Sequence, residues 1–155
     1  MRPEFRGTVV RQRYGLMSRT WFPSVVAVLL IAVSCPAIAQ GKVALAEEVH
    51  INEQLVAAAA GDILRQTCPS LSARMLVVLL KMKRLESYAR SKGYDENEVT
   101  IFLKDKAEKA RVRAAAVAYL VAAGVREGDV DSYCTEGQAE IADATLVGSL
   151  LWSSK

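Results

Sequence analysis

Residues 71–91, LSARMLVVLLKMKRLESYARS, set Leu71, Met75, Val78, Met82, Leu85 and Ala89 at spacings of 4, 3, 4, 3 and 4. An α-helix turns once in about 3.6 residues, so this spacing lines the apolar side chains along one stripe. Leu76, Leu79 and Leu80 widen that stripe, which predicts a central helix buried among neighbours. Gly93 follows where glycine commonly closes a helix.

Three further helices are predicted around this one. The first covers residues 52–66, with Leu55, Val56, Ala59 and Ile63 on one face, and stops before Cys68-Pro69. The third covers 96–122, where Leu103, Ala107, Ala110, Ala114, Val117 and Val121 repeat the 4-3 spacing. Asp95 with Glu98 resembles a capping box at its start, and Asp105 with Glu108 offers a second start, so a break is expected near Lys104. Gly124 ends it, and a fourth helix over 132–152 carries Tyr133, Gly137, Ile141, Ala144, Val147 and Leu151. No segment shows the period-two, β-branched pattern of a strand. The expected fold is all-α, a four- or five-helix bundle with one disulfide.

The chain opens differently. Arg2, Arg6, Arg11, Arg13 and Arg19 precede the uncharged run from Val25 to Val33, and Ala37-Ile38-Ala39 follows before Gln40. A basic start, a short apolar core and an A-x-A exit form the pattern of a cleavable secretory signal, with cleavage between Ala39 and Gln40. The apolar run is shorter than the roughly 20 residues needed to span a bilayer, and Pro23 and Pro36 bracket it. Ala32-Val33-Ser34-Cys35 partly matches a lipoprotein signal, but Ala32 stands where a larger aliphatic residue is usual, which disfavours a lipid anchor at Cys35. Met17-Ser18-Arg19 offers an alternative translation start. The expected organisation is a signal peptide at 1–39, a flexible lead-in at 40–51 and a helical domain at 52–155, in a periplasmic or secreted protein whose only membrane contact is the signal peptide.

Export changes the charge. Residues 1–39 hold five of the 20 basic residues and one of the 17 acidic ones, leaving 15 against 16, a net charge of −1. A charge-driven nucleic-acid binder needs a retained basic excess, so that class is excluded. The remaining charges are uneven. Arg74, Lys81, Lys83, Arg84, Arg90 and Lys92 stand against Glu86 alone in the second helix, while the first and last helical segments are acidic, predicting a basic helix set among acidic neighbours.

Once Cys35 leaves with the signal, Cys68 and Cys134 remain, and in an oxidising compartment only one intramolecular pairing is available. There is no C-x-x-C, and two isolated cysteines with the single His50 cannot make a usual zinc set, so no metal or other cofactor is expected. Asp129, Asp131 and Glu140 occupy positions one, three and twelve of a calcium loop, but Tyr133 stands at position five and Cys134 at position six, where the sharp turn needs glycine. Helix capping explains those acids better. His50 has no nucleophile partner and is expected to be solvent-exposed in the lead-in.

Cys68-Pro69-Ser70 with Ser72-Ala73-Arg74-Met75, then Gly93-Tyr94, Ala107-Glu108-Lys109-Ala110-Arg111, and Ser132-Tyr133-Cys134 with Glu140-Ile141, resemble an uncharacterised family of small exported alphaproteobacterial proteins classed as a domain of unknown function. The resemblance spans about residues 52–151 and implies periplasmic placement with Cys68 and Cys134 paired. It brings no activity with it. In size and class alone the chain is also similar to the small disulfide-bonded helical acid chaperones of the periplasm.

The expected function is therefore a non-catalytic protein-interaction or chaperone-like accessory module. Its partner would be a periplasmic protein meeting the basic face at Lys81, Lys83 and Arg84. The alternative is a small-ligand carrier or an enzyme using an interhelical pocket, where Arg74 and Arg111 at the margins of the apolar stripes would contact an anion.

Overall fold

The structure, a computed structural model, describes residues 42–154. The cleavage site at Ala39 and Gln40, Cys35 and the alternative start at Met17 lie outside the described residues.

Five helices and two short strands follow one another: α1 (Val49–Thr67), β1 (Leu71–Ala73), α2 (Met75–Ser91), α3 (Glu96–Lys104), α4 (Lys106–Ala122), α5 (Val130–Ala142) and β2 (Leu151–Ser153), with 3-10 turns at Leu45–Glu47 and Gly148–Leu150. The fold is mostly helical, as expected. The break foreseen near Lys104 falls at Asp105, whose side chain accepts from the Glu108 N–H and starts α4, just as Asp95 accepts from the Glu98 N–H to start α3. Gly93, at φ +86°, closes α2 with the Tyr94 N–H bonded to the Ala89 carbonyl.

The centre of the bundle is α1, not α2. Ala57, Ala60, Ile63 and Leu64 are buried along α1, which packs most extensively on α4 and then on α5. Small side chains explain the exchange of places: Ala57 and Ala60 let the Ala116 and Leu120 flank of α4 approach closely in one core, which Cys68, Leu71, Val125, Val147 and Leu151 complete. The stripe on α2 has far fewer partners. Only Ala89 is buried on that helix, in a smaller cluster with Leu45, Ile51 and Tyr94, and Met75 and Met82 at stripe positions are exposed. The basic helix α2 touches α3, the 3-10 turn Gly148–Leu150 and one edge of α1, but its one ion pair among the described residues is within the helix, Arg90 with Glu86 at 4.0 Å.

The two strands correct the sequence reading at both ends of the domain. Pro69 disfavours helix at the residue before it, and Cys68 is extended at φ −98° and ψ 115°. The chain then runs through Leu71–Ala73 as a strand, antiparallel to residues 151–153 with Leu71 opposite Ser153 and Ala73 opposite Leu151. The helix predicted over 132–152 stops ten residues early, at Ala142. Ala144 takes φ +51°, the Thr145 N–H reaches the Glu140 carbonyl, and the Ala144 N–H reaches the Ile141 carbonyl. That is a Schellman ending with alanine where glycine is usual. Past it the chain doubles back over α5 so closely that a Cβ on Gly148 would stand 1.8 Å from the Glu140 carbonyl oxygen.

The segment read as a lead-in is pinned where the structure describes it. Tyr94 donates its hydroxyl to the Val43 carbonyl at 2.7 Å, Lys42 donates to the Gly93 carbonyl and pairs with Glu98, Leu45 is buried, and α1 starts at Val49 instead of at 52.

Candidate functional site

The strand β1 delivers the chain into α2 through Arg74, whose backbone N–H is bonded to the Leu150 carbonyl at 2.8 Å. This anchors one end of α2 and leaves much of its first half uncovered. Leu76 is 78% exposed and Leu80 58%, and Met75 and Leu79 are exposed beside them. Residues three and four apart share a helix face, so Leu76, Leu79, Leu80 and Lys83 form one outward strip. Further along the same face Arg90 is exposed, while Trp152 of β2 is half-exposed on the two-stranded sheet.

The three basic residues expected to act together do not form one face. Lys83 points outward, whereas Lys81 turns inward and donates to the Ser149 hydroxyl at 2.8 Å. Burial, and secondarily the charge of Arg84, lowers the Lys81 ammonium below its ordinary range. Lys81 and Arg84 instead line a shallow cleft of about 190 Å³ with His50, Gln54 and Leu85. His50 is exposed, as expected, but belongs to α1; its ring lies 4.5 Å from that of Tyr88. The Tyr88 hydroxyl donates to Glu48, whose carboxylate accepts from the Ile51 N–H and caps α1. That backbone bond holds Glu48 below the usual carboxylate range, and the bond to Glu48 pushes the Tyr88 hydroxyl up.

Arg74 and Arg111 do not converge on a pocket. Arg111 is spent on Glu108, at 2.8 Å, and on the Asn52 side-chain oxygen, and Arg74 lies exposed at the start of α2. The two cavities that stand out lie elsewhere, each walled by α1 and α3. One, of about 420 Å³, opens between α1, α3 and α4 against Leu55, Ala59, Phe102, Leu103 and Val112. The other, of about 200 Å³, lies between α1, α2 and α3, where Val78, Met82 and Leu85 face Val99 and Phe102. Leu55, Phe102 and Leu103 line both.

The acids of the calcium-like spacing have other duties. Asp129 caps α5 by accepting from the Ser132 N–H and pairs with Arg126, which holds its carboxyl below the usual range. Glu140 is buried and accepts from the Tyr119 hydroxyl at 2.5 Å and from Thr145. The bond to Glu140, aided by desolvation, pushes Tyr119 up to about 12. Among the described residues no group of three or more His, Cys, Asp or Glu side chains could hold a metal ion. Sequence reading missed this α4–α5 link; a lone acid at a helical core position, with tyrosine as its distant partner, leaves no periodic signal.

Cys68 and Cys134 are bonded, with S–S 2.04 Å and Cα atoms 5.1 Å apart, joining the end of α1 to α5. Taken together, these features define a small disulfide-tied helical domain with an exposed apolar strip and two interhelical cavities. Residues 43–152 match the family model described as a family of unknown function (DUF5333), and the chain belongs to that family. No curated protein and no solved structure matches it.

Proposed function

We propose that the exported form of this chain is a non-catalytic periplasmic binding module that docks an acidic protein partner on the outward flank of α2. The observation that carries this reading is the strip of Leu76, Leu79 and Leu80 left exposed beside Lys83 and Arg90. A contiguous exposed apolar patch rimmed by charge marks an interaction surface more often than scattered single residues do. The basic rim supplies orientation and rate of encounter, and the leucines supply the buried area. A periplasmic setting is supported by the A-x-A leader motif and by the disulfide, which oxidising compartments preserve.

The test is comparative capture from periplasmic extract at low and moderate salt, using the exported chain, Leu76→Gln with Leu80→Gln, and Lys83→Glu with Arg90→Glu. A partner retained by the parent and lost by both variants, with salt weakening the parent's capture, supports the reading. The same partners on all three proteins would exclude the α2 flank. His50→Ala leaves capture unchanged; loss of binding with an intact fold would move the site to the His50, Gln54, Lys81 and Arg84 cleft.

A further inference from the structure

The two cavities beneath α3 carry an inference independent of the α2 flank. The helix α3 is nine residues long and none of its residues is buried, although its Phe102 and Leu103 wall both cavities. The smaller cavity is apolar except for Glu86 at its edge. Water needs two to four polar partners to occupy such a site, so this space favours hydrocarbon. The larger cavity has apolar walls and a charged rim of Asp62, Glu108, Lys109 and Arg113.

The rim charges are not equivalent. Asp62 is engaged by Arg65 and Gln66, and Glu108 by Arg111. Lys109 and Arg113 are exposed and form no salt bridge among the described residues. Two uncommitted cations at the mouth of an apolar cavity, which shares three wall residues with a still more apolar one, match a molecule with an anionic head and a single hydrocarbon chain. We propose that the space between α1 and α3 binds a single-chain anionic amphiphile, its head at Lys109 and Arg113 and its chain passing Leu55, Phe102 and Leu103 toward Val78 and Met82. Ligand pockets are commonly built this way, with apolar walls and a few placed polar groups.

Titration calorimetry with octanoate, decanoate and dodecanoate below their micellar concentrations tests it, with dodecanol as the uncharged control. Each buried methylene is expected to tighten binding about four-fold, the ratio of dissociation constants equivalent to roughly 0.8 kcal/mol. Lys109→Ala with Arg113→Ala weakens dodecanoate about five-fold, as loss of a solvent-exposed ion pair allows, and leaves dodecanol unchanged. Ala58 is exposed yet lines the smaller cavity, so Ala58→Trp fills the slot and flattens the chain-length dependence without threatening the fold. Ala58→Leu gives a smaller effect in the same direction. Leu76→Gln with Leu80→Gln, which disables the α2 flank, binds dodecanoate like the parent.

Three outcomes would overturn the assignment. One is affinity independent of chain length in the parent. Another is dodecanoate binding lost in the Leu76→Gln, Leu80→Gln variant but kept in Ala58→Trp, which places adsorption on α2. The last is a dimer in sedimentation equilibrium that dodecanoate does not dissociate and Ala58→Trp abolishes, which makes a second copy the occupant.

Discussion

Reducing the Cys68–Cys134 bond should remove a large part of the stability of the domain. The bond closes a loop of 66 residues, for which chain entropy gives about 4 kcal/mol of destabilisation of the unfolded state at 25 °C. The 113 residues from 42 to 154 would unfold with an entropy near 0.24 kcal/mol/K, at about 2.1 cal/mol/K per residue. Dividing one by the other gives a fall in Tm of about 17 °C. Cys68 is also among the most completely buried side chains, so Cys68→Ala with Cys134→Ala adds the loss of packing around one sulfur and should fall slightly further than reduction does. The assay is a thermal melt by circular dichroism of the purified protein beginning at residue 40, oxidised, reduced, and as the double-alanine variant. Hydrogen exchange should accelerate most in α5 and β2, which the bond ties to the buried end of α1. A fall below about 5 °C on complete reduction would refute the reasoning, because it would mean that the unfolded chain is already as restricted as the bond makes it.

Gly148→Ala should cost about 3 kcal/mol, at the upper end for overpacking, because the new Cβ meets the Glu140 carbonyl and the Ile141 nitrogen instead of a movable side chain; urea unfolding measures it, and a loss under 1 kcal/mol counts against the close approach. The bond from Tyr119 to Glu140 raises the tyrosine from 10.0 to about 12, so its contribution is fully present below pH 10 and is lost as pH rises through about 12. Tyr119→Phe should therefore be less stable at pH 8 and lose less further stability between pH 10 and 12 than the parent does; parallel stability curves would contradict this. Mass spectrometry of the exported protein should find Gln40 as its first residue, and an acylated Cys35 in that place would overturn the assignment of the leader.

Much of the fold could be read from residue spacing because helices announce themselves locally. The Asp95 and Asp105 caps, the Gly93 and Gly124 endings and the single available cysteine pair all depend on residues within a few positions of each other or on a count of two. The place of each helix in the bundle depends on what it meets across space, and there the reading inverted. The apolar stripe of α2 looked more central than the alanines of α1, yet close packing favoured the helix whose small side chains admit two neighbours at once. The strands were hidden for a related reason. Three residues are too few to show a period of two, and each strand is defined by a partner about 80 positions away. Ala144 at positive φ is a third kind of loss, since the usual glycine signal for ending a helix is absent where the helix ends. The same division holds for the site. The disulfide and the basic character of α2 were legible, whereas the inward turn of Lys81, the commitment of Arg111 to Asn52 and the two cavities under α3 arise only from contacts between elements.

The pairing of β1 with β2 imposes an order of events on the life of the chain. Leu71 has no strand partner until Ser153 exists, and Leu151 also fills the core against Gly61 of α1. Until residues 151–153 are in place, the core that α1 shares with α4 and α5 stays open beside Gly61 and Leu71. Residues 151–153 therefore act as a clasp: without them the domain keeps all its helices and cannot shut.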